Sequence, residues 1–473
     1  MTVRIVLSLT GLLAALAATE GAWAADPTAT VTDPRWVSPR AFGLDIPAGT
    51  VNAGEGERVL ILDQEGQPVV ARVHVRVGDQ MVLMLPDGQL TTRPAADCQP
   101  TERKFDVLNA NELAQRLVET EFPGWSTRQT RFHVYVYQGS EAFVQIADGI
   151  LKSMFGGVVT YSRSQRIDVK PPEFPLVVIV YGTQKEFRRA LGISEEVVAY
   201  YDVVTNRIIL CEESNLWKVK PDLAIRQTIA TIAHEGAHQI LHNIGVQQRL
   251  SVWPMWLNEG IAEFFAPTHT DHQLEWKGAG EVNDLRMFEL EQLLKSRSPD
   301  AADGQLIAQT VGAPRLTSTG YAMAWALTNY LFQNQSQSFR ALMRAMAQRG
   351  PLVGGGETVA PGVIPGNLRD FKEHFGEDLA DIERRVMLHL NRQPYLDPFL
   401  DWPHFTVLLL MPKGTRPRRE AEVFRLPQQA VHWRDQRMAL VPEEQHAKVQ
   451  HQIREFPNRV QAEQVARQWR QTP

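Results

Sequence analysis

The sequence predicts an α+β protein: a small β-rich region, then a mixed sheet combined with helices, then a long helical region. Three observations support this fold class. Short apolar stretches separated by turn residues fill residues 55–100. Between residues 101 and 266, strand patterns alternate with helical ones, and over residues 267–402 apolar residues recur at helical spacing. The 473 residues are too many for a single core, so several domains are expected.

The predicted organisation has six parts, which differ in composition and in the spacing of their apolar residues. They are a signal peptide (1–24), an irregular lead-in (25–54), a small β-barrel (55–100), an α+β region (101–266), a helical region (267–402) and an α/β extension (403–473). The extension is predicted from two strand patterns, Phe405–Met411 and Glu420–Leu426, followed by charged helices. No function is assigned to it.

The first 24 residues have the features of a secretory signal. Arg4 precedes the apolar run Ile5–Ala18, and Ala22-Trp23-Ala24 fits the small-x-small cleavage rule. The apolar run is short for a bilayer, so an uncleaved membrane anchor is the less favoured alternative. No later stretch predicts a transmembrane helix. We therefore expect an exported protein, periplasmic or secreted, with no integral membrane segment after signal cleavage.

Charge and cysteine content exclude some classes of protein. A formal net charge of −5 with ordinary composition argues against a nucleic-acid-binding surface. Cys98 and Cys211 are the two cysteines, and they fall in regions predicted to be separate domains. Export permits a disulfide between them, and two unpaired buried thiols are an equally open alternative. A thiolate zinc site would need clustered cysteines, so none is predicted.

The β-rich region carries strand patterns over Arg58–Asp63, Val69–Val77 and Gln80–Leu85. Closely spaced turns with apolar alternation between them indicate a small barrel. It resembles the SH3-type barrels often attached to exported bacterial enzymes. Binding of a cell-envelope partner and a plain spacer or docking role remain equally open for it.

The α+β region is predicted to contain a sheet, an edge hairpin and a central helix. Phe132–Tyr137 and Pro175–Tyr181 read as strands, with a helix over Ser140–Met154 between them. Val197–Val203 and Arg207–Cys211 flank a turn and predict a hairpin. Within that hairpin, we expect residues 204–210 to offer an edge strand for an extended peptide.

The helical region predicts four helices and one long loop. The helices are Asn283–Ser296, Thr319–Phe332, Ser338–Gln348 and Leu368–Asn391. The Gly/Pro-rich segment Gly350–Gly366 predicts a loop over a cleft.

A His-Glu-x-x-His motif stands in the central helix of the α+β region. Residues four apart on a helix share a face, so His234 and His238 can clamp one metal ion. Glu235, beside the first ligand, is placed to handle a metal-bound water. Asp222 near the start and Gly245 after the end predict the limits of this helix.

The third metal ligand has two candidates. His242 continues the four-residue series, but at about 1.5 Å rise per residue it lies about 12 Å along the axis from His234. One ion cannot bridge that distance while the segment stays helical, so His242 is predicted to have a structural or supporting role. A hydrolytic zinc site takes three protein ligands and keeps one position for water. The two histidines of the motif supply two of them, and Glu259 is the predicted third.

Glu259 lies in a second predicted helix, Met255–Ala266, bounded by Pro254 and Pro267. Glu263 shares its face one turn later. Two carboxylates on one face repel each other, and a nearby cation relieves that repulsion. Glu263 is predicted to hold His234 by its free ring nitrogen. An ordinary solvated acidic face is the alternative.

The two helices together carry a resemblance. His234-Glu-Gly-Ala-His238, followed by Asn258-Glu259 and by Glu263, resembles the gluzincin metallopeptidases, such as thermolysin and aminopeptidase N. With Tyr200-Tyr-Asp and Pro254-Met-Trp added, the chain is similar to the peptidase MA-like exported bacterial proteins. The resemblance covers about residues 132–395. It implies a zincin-like fold, Zn²⁺ as cofactor, a peptide or protein substrate, and a supporting role for Asn258.

The resemblance also implies a mechanism. Glu235 is the expected general base, and Tyr321 is the expected donor to the oxyanion, with Tyr330 in reserve and core packing of the tyrosine as the alternative. The Gly-x-Met-Glu-Asn motif, which seats a free amine in aminopeptidase N relatives, does not occur in this sequence. Its absence favours an endopeptidase or an enzyme of narrow specificity.

Two other functions are open from the sequence. A zincin scaffold can serve as a non-catalytic binding protein of the cell envelope, although all three expected ligands and the base are present. The same site can also hydrolyse a non-peptide amide, such as a cell-wall cross-link.

Overall fold

The structure is a computed structural model of the chain and divides into two units, Met1–Gln393 and Pro394–Pro473. The residues that it describes are 39–46, 49–63, 66–193, 197–214, 217, 221–269, 274–353, 366–412 and 417–472. The signal peptide, most of the lead-in and most of the predicted loop over Gly350–Gly366 lie outside the described residues. Cys98 and Cys211 are both buried free thiols.

The first sheet is antiparallel and has six strands. They are β1 (Val51–Ala53), β2 (Arg58–Leu62), β3 (Pro68–Val77), β4 (Gln80–Met84), β5 (Leu90–Pro94) and β6 (Gln99–Pro100). Their order is β5-β4-β3-β2-β6, with β1 also paired to β3. Alternate residues of β3 are buried from Ala71 to Val77, as a strand with one core face requires. Among the described strands no pairing joins β5 to β6, so the predicted closed barrel is not found.

The second sheet is mixed and interleaved with helices. Its elements are α1 (Ala110–Thr120), β7 (Ser126–Gln129), β8 (His133–Tyr137), α2 (Glu141–Ser164), β9 (Leu176–Tyr181), α3 (Gln184–Leu191), β10 (Ala199–Asp202) and β11 (Arg207–Cys211). The order is β10-β11-β9-β8-β7, with β8, β9 and β11 parallel. Every residue of β9 is buried, as predicted for a central strand.

The hairpin of β10 and β11 is confirmed, but the edge strand is not the one predicted. β11 pairs with β10 on one side and with β9 on the other. The crossover through α3 brings β11 parallel to β9 and leaves β10 at the edge. The prediction that residues 204–210 offer the edge strand is therefore wrong.

Helix α2 is ten residues longer at its end than the sequence predicts. By length and composition it meets the criteria for a membrane-spanning helix, which the sequence analysis did not anticipate. The core helix of a soluble protein meets the same criteria. Ten of its side chains are buried within the unit, among them Phe143, Leu151 and Val158, and it packs against the helix that follows β11.

The two helices with the metal motif and the helices after them complete the first unit. They are α4 (Pro221–Asn243), α5 (Met255–Phe265), the short strands β12 (Thr268–His269) and β13 (Glu275–Trp276), α6 (Asp284–Ser296), α7 (Gln305–Gly312), α8 (Ser318–Asn334), α9 (Ser336–Ala347), α10 (Gly366–Phe375) and α11 (Leu379–Leu390). The sequence predicts one helix where α10 and α11 stand. Gly376 takes a φ of 95° and separates the two.

Helix α5 packs between α4 and α8, and Gly260 sets how closely it approaches α8. A Cβ at Gly260 would lie 2.3 Å from Thr328 Oγ1 and 2.6 Å from the carbonyl oxygen of Ala324. A side chain at this position would therefore push the two helices apart.

The first sheet is fastened to the β10–β11 hairpin by one buried arginine. Arg249 Nε donates to the carbonyl of Val203 at 2.8 Å, and its Nη2 donates to that of Val204 at 2.6 Å. Its Nη1 donates to the carbonyl of Gly88, in the turn between β4 and β5. Leu90 N also donates to Val204 O at 2.8 Å. The edge of the mixed sheet is therefore held in place by the N-terminal sheet.

The second unit is a three-stranded antiparallel sheet with a helix on each face. Its elements are β14 (His404–Met411), β15 (Arg418–Phe424), α12 (Pro427–Met438), β16 (Gln450–Phe456) and α13 (Arg459–Gln471), with strand order β15-β14-β16. Val407 and Leu409 pack with Ala430 of α12, and Leu408 packs with Ala466 of α13. The sequence predicts β14 and β15 but not β16, whose residues are mostly polar and exposed.

Candidate metal centre

Helix α4 is buried around its whole circumference where the metal motif lies. Every residue from Thr231 to His242 is buried, so the polar side chains of this stretch need partners. Gln239 finds them in the carbonyls of Val177 and Asn206, at 2.9 and 3.1 Å. The helix is thereby fixed beneath the mixed sheet.

His234, His238 and Glu259 form one compact, buried group of ligand atoms. The two Nε2 atoms of the histidines are 3.2 Å apart. Glu259 Oε2 lies 3.3 Å from His234 Nε2 and 3.7 Å from His238 Nε2. All three side chains are at most 1% exposed.

The spacing of these three atoms fits a metal ion. Ligand atoms about 2.1 Å from a tetrahedral zinc ion lie about 3.4 Å from one another. The three observed distances of 3.2, 3.3 and 3.7 Å lie around that value. Glu259 Oε2 is buried, and no hydrogen-bond donor of the described chain reaches it. A cation between the three side chains would satisfy this oxygen.

The other oxygen of Glu259 is held by a polar chain. Asn258 Nδ2 donates to Glu259 Oε1 at 3.0 Å, and Gln247 Nε2 donates to Asn258 Oδ1 at 3.1 Å. The carboxylate is thus oriented with Oε2 toward the histidines. Asn258 thus contacts the carboxylate of Glu259, and its supporting role in a metal site stays a prediction.

Glu263, one turn after Glu259, has partners on both oxygens. Its Oε1 lies 3.1 Å from His234 Nδ1 and accepts from Arg286 Nη2 at 2.6 Å. Its Oε2 accepts from Asn283 Nδ2 at 2.9 Å. Glu263 thus faces the His234 nitrogen that points away from the ligand group, as a carboxylate that orients a metal-binding histidine does.

Glu235 is buried and is held by one oxygen only. The backbone amide of Tyr201 in β10 donates to Glu235 Oε2 at 2.7 Å. Glu235 Oε1 is buried and receives no hydrogen bond from the described residues. We refer to Glu235 Oε1 and Glu259 Oε2 as the open oxygens.

Burial and neighbouring charges shift the pKa values of these groups. Burial raises the pKa of Glu235 to about 8, against the opposing influence of His234. Burial also disfavours the charged form of Glu259, but the two histidines outweigh it and lower its pKa to about 2. For His234, burial is outweighed by Glu263 and Glu259, which raise its pKa to about 10.

His242 lies outside the group of three ligands. Its ring stacks on Tyr201 with 5.5 Å between centroids, and burial lowers its pKa to about 3. This side chain therefore lies neutral against the residue whose amide holds Glu235.

The two candidate tyrosines lie toward opposite ends of α8. Tyr321, in the first turn of α8, has its ring centroid 6.5 Å from that of His234. Burial raises the pKa of Tyr321 well above its usual value, and the carboxylate of Glu259 adds to the shift. Tyr330 lies near the other end of the helix, and its ring packs on His389 at 5.7 Å.

A small cleft with about 20 Å³ of free space lies beside the first half of α4. Its walls include Ala199 of β10, Leu210 of β11, and Thr231 and Ile232 of α4. Thr231 lies one helical turn before Glu235, but His234, Glu235, His238 and Glu259 are not among the residues that line the cleft.

Sequence reasoning missed three residues of the centre, namely Gln247, Asn283 and Arg286. Asn283 begins a predicted helix, which indicates a cap but not a contact with Glu263. Gln247 and Arg286 carry no signal of their own, because their contacts arise only when loops and helices pack together.

Fold and site together define the class of protein: an α+β chain with a possible zincin-like metal site of two histidines and one glutamate. A family model described as a protein of unknown function (DUF1570) matches residues 228–353, about a quarter of the chain. The matched span begins within α4 and ends six residues after α9, and it contains His234, His238 and Glu259. No curated protein matches the chain.

Proposed function

We propose that this chain is an exported zinc-dependent metallopeptidase of gluzincin type, which hydrolyses peptide bonds with Glu235 as its general base. The observation that carries the proposal is the open Oε2 of Glu259, which faces the Nε2 atoms of both histidines. A second open oxygen belongs to Glu235, next to the first histidine.

The donor set suits zinc. Two imidazole nitrogens and one carboxylate oxygen are ligands that zinc accepts in tetrahedral sites, and three protein ligands leave the fourth position for water or substrate. His234 Nε2, His238 Nε2 and Glu259 Oε2 would hold the ion. When bound, zinc supplies Lewis acidity, which lowers the pKa of a water molecule and polarises a carbonyl group.

Glu235 moves the proton in the proposed reaction. Its Oε2 is fixed by the amide of Tyr201, so Oε1 is the atom that accepts a proton from the attacking water. The same atom then returns the proton to the amine of the leaving peptide. A buried carboxylate next to the ligands can act as the base in the first step and, once protonated, as the acid in the second.

Tyr321 is the proposed donor to the developing oxyanion. Its pKa is raised, so the phenol stays protonated and keeps a proton to donate. Its ring lies close to His234, whereas that of Tyr330 packs against α11. These placements favour Tyr321 over Tyr330.

The proposed substrate is a peptide or protein. This substrate class is proposed from the resemblance to the gluzincin peptidases. Strand β10 is buried at Ala199, Tyr200 and Tyr201, so it offers no exposed edge there for a peptide to pair with.

Export and partner binding are proposed from the sequence. The segment Met1–Ala24 has the features of a signal peptide, which would place the protein in the periplasm or outside the cell. The N-terminal sheet is proposed to bind a partner in the cell envelope.

The test is metal analysis combined with cleavage of an unbiased peptide library, for wild type and Glu235→Gln. We expect about one zinc per chain in both proteins and hydrolysis in wild type alone, because the variant keeps the ligands and loses the base. Equal hydrolysis by the variant would refute the mechanism. Zinc binding without cleavage of peptides would favour the non-catalytic scaffold or, if peptidoglycan is cleaved, the cell-wall amide.

A further inference from the structure

Arg286, on the first turn of α6, is a buried arginine that the proposed mechanism does not use. It is 8% exposed. Its Nη2 donates to Glu263 Oε1 at 2.6 Å, and its Nη1 donates to Glu289 Oε2 at 2.8 Å. Its guanidinium carbon lies 5.4 Å from the centre of the Tyr321 ring. The guanidinium group is therefore held on three sides.

The contact with Glu263 connects Arg286 to the ligand group. The oxygen that accepts from Arg286 is the same Oε1 that lies 3.1 Å from His234 Nδ1. Asn283, the residue that caps α6, holds the second oxygen of Glu263. The start of α6 thus fixes the carboxylate that faces His234.

The contact with Glu289 connects Arg286 to helix α8. Glu289 Oε1 accepts from the hydroxyl of Ser318, the first residue of α8, at 2.9 Å. Because Glu289 also lies on α6, three residues after Arg286, one short polar chain ties α6 to α8. The Tyr321 ring on α8 closes the third side of the guanidinium group.

We propose that Arg286 is a positioning residue of the metal centre, which sets the affinity for zinc by fixing Glu263 and, through it, the ring of His234. A carboxylate that holds a ligand histidine changes metal affinity when it is displaced. The planar fork of arginine can hold Glu263 and Glu289 at once, which a lysine ammonium on a flexible stem cannot do in the same geometry. The inference rests on the metal site of the proposed function but not on its peptidase activity.

The competing explanation is a buried ion pair that only stabilises the fold. The chain offers a matched control in Arg207, which is 6% exposed and makes two hydrogen bonds with Glu121. Among the described residues, neither Arg207 nor Glu121 makes a hydrogen bond with the ligand group. Removal of either arginine is expected to destabilise the protein, and more so for Arg286, because Glu263 is 3% exposed and Glu121 is 41% exposed.

The experiment measures zinc affinity by competition with a chromophoric chelator, and thermal stability in parallel. We expect Arg286→Met to bind zinc about 10- to 100-fold more weakly than wild type, and Arg286→Lys to fall between the two. Arg207→Met is expected to lose thermal stability and keep the zinc affinity of wild type. Equal zinc affinities in Arg286→Met and Arg207→Met would overturn the inference.

Two milder variants decide the matter if Arg286→Met does not fold. Arg286→Lys keeps the charge, and Glu289→Gln keeps the shape while it weakens the second anchor of the guanidinium group. Both are expected to bind zinc more weakly than wild type, and wild-type affinity in both would overturn the inference. A wild type that binds zinc but cleaves no peptide contradicts the peptidase alone, whereas a wild type without zinc affinity contradicts both.

Discussion

The two turns of α5 carry glutamates that look alike in the sequence and differ in their surroundings. Glu259 and Glu263 are both buried and share one face of the helix. Glu263 has a hydrogen-bond donor on each oxygen, from Arg286 and Asn283. Glu259 has one on Oε1 and keeps Oε2 open toward two histidines. A buried carboxylate oxygen without a partner is costly, so the difference marks the turn of Glu259 as the place for a cation.

The inferred difference between Glu259 and Glu263 is wrong if the two glutamates contribute equally to metal binding. We expect Glu259→Gln to weaken zinc binding by about three orders of magnitude, because it removes one of three ligands from a binding free energy of roughly 10–16 kcal/mol. Glu263→Gln is expected to weaken it by only about 10- to 100-fold, because it disturbs the orientation of His234 and leaves all three ligands in place. Chelator competition at constant pH measures both.

The ranking of these two variants is the decisive outcome. Glutamine keeps the size of glutamate, so a fold defect is not the expected cause, and circular dichroism of both variants serves as the control. If Glu263→Gln weakens zinc binding as much as Glu259→Gln, the assignment of Glu259 alone as the carboxylate ligand is wrong.

Gly260 provides a second test of the role of Glu259, because it follows Glu259 in α5 and faces α8. Gly260→Ala would place a Cβ 2.6 Å from the backbone oxygen of Ala324, which cannot move away as a side chain can. We expect the free energy of unfolding to fall by about 1–3 kcal/mol. Zinc affinity is expected to fall as well, because the displaced turn carries Glu259.

Gly149→Ala in α2 is the matched control for Gly260→Ala. A Cβ at Gly149 would meet no atom within 4 Å in the described structure. Alanine in a helix is favoured over glycine by roughly 0.5–1 kcal/mol, so this variant is expected to be slightly more stable than wild type and unchanged in zinc affinity. Equal behaviour of the two variants would show that α5 and α8 can separate without consequence for the site.

The sequence predicts the local part of the site and not the tertiary part. The spacing of His234, His238, Glu259 and Glu263 follows from helical periodicity, which depends on neighbours in the chain. Arg286 reaches Glu263 from 23 positions downstream, and nothing in its local sequence indicates the contact. The same distinction between local and tertiary features applies to the fold. The β10–β11 hairpin is readable from its turn, but the choice of β10 as edge strand depends on where the crossover places β11.

The predicted elements differ from the observed ones where a single residue ends a helix or where a strand exposes most of its side chains. Gly376, with its positive φ, splits one predicted helix into α10 and α11. Strand β16 exposes most of its side chains, so it lacks the apolar alternation that reveals the other strands of its sheet. The predicted barrel closure failed because closure depends on pairing between distant strands, which the alternation of apolar residues does not specify.

His133 tests whether any buried atom without a hydrogen-bond partner would look like a metal site. Its Nε2 is buried without a hydrogen-bond partner among the described residues, yet it belongs to no group of ligands. Burial lowers its pKa from 6.5 to about 3, so between these values the unfolded chain binds a proton that the folded chain excludes. Stability therefore falls with decreasing pH, by about 2 kcal/mol for this residue between pH 7 and pH 5.

The variant His133→Leu is expected to lose that part of the pH dependence and to keep the zinc affinity of wild type. Denaturant unfolding at pH 7 and pH 5 measures the first property, with wild type as the reference. A pH dependence in His133→Leu equal to that of wild type would show that this imidazole is not excluded from protonation. A loss of zinc affinity would show instead that Nε2 of His133 contributes to the metal centre. The contrast between Glu259 and Glu263 would then no longer locate the metal site.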